Sequence, residues 1–248
     1  MGRFGKGYHH IALRPVAVLV KVVCTRKDRS SFRREVSALR AVADGARKHN
    51  VAEILFEREN IARRTGEIGL VDEGGTPLCA AGPTDAQMRD VCRDVEVALT
   101  YVHRCGYIHG DVSMRNIVVA PTDRGVRATL VDFGHAQRHV KGKMTLQVGL
   151  QTHRSPEMLW ALGYGPSTDF WSWGVTLLLM LIGGVIDDMP AVSPYAQFNK
   201  ELHDMVLSAA EDATMDDATH DYRVLVATAM IRLNPNPEFR FEQDHEFV

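Results

Sequence analysis

Asp111 and Asn116 stand five positions apart in the run YIHGDVSMRNIV at 107–118, and Asp132 opens the triplet DFG within LVDFGHA at 130–136. Each lies hard against an apolar stretch. Three oxygen-bearing side chains brought to one spot suit Mg²⁺, which takes a few carboxylate or amide oxygens and completes its shell with substrate phosphates. Lys21, alone in the β-branched run PVAVLVKVV at 15–23, would add a cation for the same phosphates. Taken singly, each Asp or Asn is equally at home in a turn, which these residues favour through hydrogen bonds to their own backbone. The set, not any member, is what reads as a phosphate site.

Elements must carry these residues together. The run at 15–23 reads as a strand, bounded by Pro15 and the charged stretch RKDRS. In SSFRREVSALRAVADGARK, Ser30 or Ser31 can cap a helix that puts Phe32, Val36 and Leu39 on one face, with Glu35 beside that stripe. VAEILFE at 51–57 and EIGLV at 67–71 read as two more strands, the second ending in the connector DEGG. From Thr84 the pattern turns helical: Met88, Val91, Val95, Ala98, Leu99 and Val102 recur at three and four, with Gly106 as the stop. NIVVA and ATLVD restore strand alternation briefly, as a hairpin able to bring Asn116 towards Asp132. Beyond 155 the chain reads as helices and loops. Its longest apolar run, VTLLLMLIGGVI at 175–186, is too short to span a bilayer and reads as a buried helix.

Composition narrows the partners. With 248 residues, 45% hydrophobic and 24% charged, the chain can bury a sizeable core. Its 29 Lys and Arg against 31 Asp and Glu give no bulk electrostatic case for a nucleic-acid or membrane partner, so phosphate binding must be local. Cys24, Cys79, Cys92 and Cys105 form no C-x-x-C pair, which favours reduced thiols and an intracellular setting, cytoplasmic or nuclear. The N-terminus lacks an apolar signal core, and Lys6 stands where a myristoylation motif would want Ser or Thr.

These residues resemble the eukaryotic-type protein kinases. HGDVSMRN is similar to the catalytic loop H-R-D-x-x-x-x-N, DFG at 132–134 (Asp132, Phe133, Gly134) to the metal-binding triplet, and LVKVV to the lysine strand. SPE at 155–157 resembles the end of the activation segment, DFWSWG from Asp169 the central helix of the large lobe, and NPEFR at 236–240 the last motif. The resemblance implies an α+β, bilobal fold in one domain: an antiparallel-sheet N-lobe with one main helix at about 1–73, and a larger helical C-lobe at about 76–248. It implies ATP and Mg²⁺, with Asp111 accepting the substrate hydroxyl proton, Asn116 and Asp132 holding metal, and Lys21, paired with Glu35, clamping phosphates. His109 would pack beneath Phe133 with Leu39 continuing that spine, while Glu157 and Arg240 would form a buried ion pair. His103, His135, His139 and His153 have no metal-ligand spacing.

The chain departs from the family pattern in places. GRFGKG lets Gly2, Phe4 and Gly5 match part of the glycine-rich loop, but the first glycine is missing and Gly7 replaces a valine. The first strand of the small lobe would then be clipped, leaving an edge that a partner could complete. Leu19 stands where a small residue meets the adenine. Gly110 replaces the arginine that reads a phosphate on the activation segment, which implies activity without that phosphate. Ser113 replaces the lysine usual in serine/threonine kinases and Arg115 is similar to some tyrosine kinases, while the Arg154-Ser-Pro-Glu stretch is closer to serine/threonine kinases. The expected reaction is γ-phosphate transfer to a Ser or Thr of a protein. Two alternatives stand beside it: a pseudokinase scaffold, and a small-molecule or atypical H-G-D phosphotransferase. Compactness also resembles kinases of large DNA viruses.

Overall fold

A computed structural model describes residues 17–60, 62, 65–141, 144, 146–160, 163–183, 196–215, 218–234 and 236–241. Gly2, Phe4, Gly5 and Gly7 lie outside the described residues. The fold is α+β. Strand β1 (Val18–Cys24) leads without a break into helix α1 (Thr25–Val42). The helix therefore starts ahead of the predicted Ser30 or Ser31 cap, because the Arg- and Lys-rich stretch between them is itself a good helix former. Ser31 instead sits inside the helix and donates its hydroxyl to the Gly134 carbonyl at 3.3 Å. Helix α1 buries Phe32, Glu35, Ala38, Leu39 and Val42, a three-and-four stripe.

Strands β2 (Ile54–Asn60) and β3 (Thr65–Val71) complete an antiparallel sheet of order β1–β3–β2, with Lys21 opposite Ile68. Period-two alternation puts Leu19 and Lys21 on one face of β1. Val51 bridges Leu130, Ala52 N donates to Leu130 O at 2.9 Å, and Leu130 N donates to Asn50 O at 2.8 Å. These bonds join the segment entering the small sheet to the rest of the molecule.

After β4 (Thr76–Pro77) and the single turn α2 (Leu78–Ala81) comes α3 (Asp85–Arg104). Its start is a reciprocal cap: Gln87 N donates to Thr84 Oγ1 at 3.3 Å and Thr84 N to Gln87 Oε1 at 3.0 Å. The six apolar residues predicted for its inner face are all buried. Strands β5 (Tyr107–Ile108) and β8 (Gln137–Arg138) pair, and β6 (Ile117–Thr122) with β7 (Gly125–Leu130) forms the hairpin, with β4 on its free side.

Helices α4 (Pro156–Leu159), α5 (Ser167–Leu181), α6 (Ala196–Thr214) and α7 (His220–Arg232) follow. Every residue of α5 from Ser167 to Leu179 is buried, so it runs through the core and its polar groups need partners inside it. Ser172 Oγ donates to His153 O at 2.8 Å, Thr176 Oγ1 to Ser172 O at 2.9 Å, and Thr168 Oγ1 meets Ser155 Oγ at 2.7 Å. None of the described helices is long and apolar enough to cross a membrane.

Arg240, fully buried, closes this half of the molecule. Its Nη1 and Nη2 meet Glu157 Oε1 and Oε2 at 2.6 and 3.3 Å, its Nε donates to Asn234 O at 2.7 Å, and its guanidinium lies 4.8 Å over the Trp171 ring. Removing one partner strands a buried charge. Glu157→Ala should cost about 3–5 kcal/mol in urea unfolding, with Glu157→Ala/Arg240→Met recovering part of the loss. Equal stability of Glu157→Ala and the parent chain would contradict this.

Candidate active site

Lys21 reaches from β1 to two carboxylates. Its Nζ lies 2.7 Å from Glu35 Oε1 on α1 and 2.7 Å from Asp132 Oδ1. Burial opposes the ammonium, but hydrogen bonds to Asp132 and Glu35 outweigh it and raise the Lys21 pKa. The carboxylates respond in opposite directions. Desolvation dominates at Glu35, whose side chain is 3% exposed, and lifts its pKa despite Lys21; Asp132, 45% exposed, keeps enough hydration for the Lys21 bond to overcome desolvation and lower its pKa.

Asp132 sits at φ 62°, a left-handed conformation uncommon for a side-chain-bearing residue, and its Oδ1 accepts from Gly134 N at 3.1 Å. That turn throws Phe133 inward and leaves the carboxylate facing Lys21. Phe133 is fully buried edge-on against His109, ring centroids 4.8 Å apart, in the same core as Leu39. Asp111 N donates to His109 Nδ1 at 3.3 Å, so His109 Nε2 carries the proton given to Val131 O at 3.0 Å. Desolvation lowers the His109 pKa and keeps this ring neutral.

The hairpin brings Asn116 beside Asp132: Val131 N donates to Asn116 O at 2.9 Å. Asn116 Nδ2 donates to Asp111 Oδ2 and to Asp111 O, each at 2.8 Å, which leaves its Oδ1 as the atom able to meet a cation. Asp111 Oδ1 accepts from Leu150 N at 3.2 Å. Among the described residues no cluster of three or more His, Cys, Asp or Glu could hold a metal by itself. One carboxylate and one amide oxygen fit Mg²⁺, which keeps waters and takes phosphate oxygens for the remainder, better than a metal caged by protein alone.

Asp169, fully buried, fixes the backbone on which Asp111 rides. Its Oδ2 accepts from His109 N at 2.8 Å and meets His103 Nε2 at 2.7 Å, and its Oδ1 accepts from Gly110 N at 2.8 Å. Burial would raise the Asp169 pKa, but the bonds from His103 and the loop amides reverse it, so the group stays ionised. His103 is a site residue that spacing missed; no metal pattern marks it, and only the Y-V-H end of α3 near HGD hints at it. Ser113 is buried, its carbonyl accepting from Asn116 N at 3.0 Å, while Arg115 and Leu19 are exposed.

A protein kinase domain model matches residues 2–236. The chain belongs to the protein kinase family. A serine/threonine-protein kinase of Drosophila simulans is 30% identical over 172 residues, covering 66% of this chain and 22% of that protein, and the Drosophila melanogaster kinase matches to the same extent. The serine/threonine-protein kinase zyg-8 of Caenorhabditis elegans is 36% identical over 89 residues, 35% of this chain and 11% of that protein. The kinase chain thus spans about a fifth of the length of the Drosophila relatives it matches.

His153 is buried, and its Nε2 has no hydrogen-bond partner among the described residues. Desolvation lowers its pKa to about 4, against the opposing charge of Asp111. Between the unfolded value of 6.5 and about 4, the unfolded chain therefore binds a proton that the folded chain refuses. On the order of 3 kcal/mol of stability should be lost as pH falls through that window. Urea midpoints at pH 7 and pH 4.5 should fall further for the parent than for His153→Gln; equal falls would rule the account out.

Proposed function

We propose that this kinase transfers the γ-phosphate of ATP to a serine or threonine hydroxyl of a protein substrate. The observation that supports it is the convergence of Lys21, Glu35 and Asp132 on one side and Asp111 with Asn116 on the other, held by a hairpin and a buried aspartate. The names of the Drosophila and nematode relatives support the choice of hydroxyl.

Asp111 accepts the hydroxyl proton as the oxygen–phosphorus bond forms and the bond to the β-phosphate oxygen breaks, releasing ADP. Asn116 positions that carboxylate and, with Asp132, would hold Mg²⁺, which when bound supplies positive charge to the phosphates. Lys21 binds the α- and β-phosphates and Glu35 keeps its ammonium in place. In this reading the two lobes span about 1–73 and about 76–248, and Gly2, Phe4 and Gly5, outside the described residues, would contribute to ATP binding. Val18, Leu19, Val20 and Val22 of β1 are exposed, and a partner protein completing the small lobe is part of this reading.

A pseudokinase reading draws on Gly110, which removes the arginine from the catalytic loop. The two separate in one assay: Mg²⁺-dependent transfer of labelled γ-phosphate to a generic protein or to the chain itself. The proposed kinase shows transfer that Asp111→Asn reduces on the order of 10²–10⁴-fold. Absence of transfer, or transfer untouched by Asp111→Asn, would favour the scaffold.

A further inference from the structure

The residue before Asp111 is a glycine at φ 76°, and a Cβ there would stand 2.9 Å from Val148 Cγ2 and 3.0 Å from the His135 carbonyl oxygen. Facing it, Gly149 has φ 67°; a Cβ there would run into the Gly110 carbonyl and stand 2.9 Å from Asp111 Oδ1 and 3.2 Å from Asp111 Cα. Two backbones therefore meet at a distance that side chains forbid, in conformations that favour glycine. The consequence falls on the next residue. Leu150 N is delivered to Asp111 Oδ1.

Arg154 secures the approaching segment from behind. Its Nε donates to Val148 O at 3.1 Å, its Nη2 to Gly149 O at 3.1 Å, and its Nη1 to Gln147 Oε1 at 3.2 Å. Upstream, Tyr164 OH donates to Leu146 O at 2.5 Å and accepts from Gln137 Nε2 at 3.1 Å, while Tyr164 N donates to Met144 O at 3.0 Å. Tyr164, Met144, Met158 and Ile108 form a small core of their own, with Val148 packed against it.

We propose that Gly110, Gly149 and Arg154 form a positioning device that presses residues 147–150 onto the catalytic loop and holds the Asp111 carboxylate, through Leu150 N–H, in the orientation that receives the substrate proton. This rests on the kinase reading above. Gly110 is therefore a requirement of this packing. Restoring arginine there damages the site, since its Cβ meets Val148 and its backbone is strained.

The test compares Gly110→Arg, Gly149→Ala and Arg154→Gln with the parent, by steady-state kinetics with ATP and a generic protein substrate and by hydrogen exchange at the Leu150 amide. For Gly110→Arg and Gly149→Ala, kcat falls at least tenfold while the KM for ATP stays within twofold. Arg154→Gln lowers kcat less, and in all three Leu150 exchanges faster. Phosphatase treatment of the parent leaves its kcat unchanged. An undiminished kcat in Gly110→Arg or Gly149→Ala, or loss of parent turnover on phosphatase treatment, overturns the proposal. Should either glycine variant fail to fold, Arg154→Gln decides by the same kcat and exchange readouts. A parent chain without turnover defeats the kinase reading alone; Leu150 exchange then decides, protected in the parent and not in Arg154→Gln if the device exists, and equal in both if it does not.

Discussion

An ammonium group shared by two carboxylates sets the geometry of this molecule. Lys21 is fixed by its place in β1, Glu35 by the buried stripe of α1, and Asp132 by a left-handed turn at the end of the hairpin, so sheet, helix and loop meet at one cation. The bond network has a direction: Glu35 is almost wholly desolvated and would accept a proton readily without Lys21, whereas Asp132 remains wet enough to stay ionised. A group exchanging Asp132 for phosphate oxygens would leave the Lys21–Glu35 bond in place. Ser31, bonded to Gly134 O, gives the same helix a second hold on the same loop.

Asp169 does for the lower half what Lys21 does for the upper. A buried carboxylate is costly unless its oxygens are filled, and here two loop amides and His103 fill them. Helix α5, buried from Ser167 to Leu179, is the body from which that carboxylate projects. His109 then links Asp111 N to Val131 O as a neutral ring, and Asn116 ties the Asp111 carboxylate to its own backbone turn. The Asp111 side of the site is thus built by hydrogen bonds from the backbone outward, the Lys21 side by charge.

Much of this was legible in the sequence because the informative residues are expensive to place. A lysine in a β-branched strand, a DFG after an apolar strand and an HGD five before an Asn each demand partners, and the demands fit one fold. The α3 stripe was equally plain, since periodicity is local. What escaped was tertiary. The start of α1 at Thr25 is masked in the sequence because Ser30 and Ser31 look like caps and charged helix formers look like a linker. His103 carries no signal until Asp169 is brought to it. Gly149 and Arg154 are ordinary residues in a row, and only folding shows that the glycine lies against Gly110 and that the arginine binds the carbonyls beside it.

The claim that Lys21, Glu35 and Asp132 act as one unit is tested most directly by a double-mutant cycle in kcat/KM for ATP, using Lys21→Met, Glu35→Gln and the pair. If Glu35 acts through Lys21, the double variant is scarcely worse than Lys21→Met alone, and the cycle gives a coupling of about 0.5–3 kcal/mol. Losses that simply add would mean that the two residues serve the reaction independently, and the shared cation would not be the organising contact.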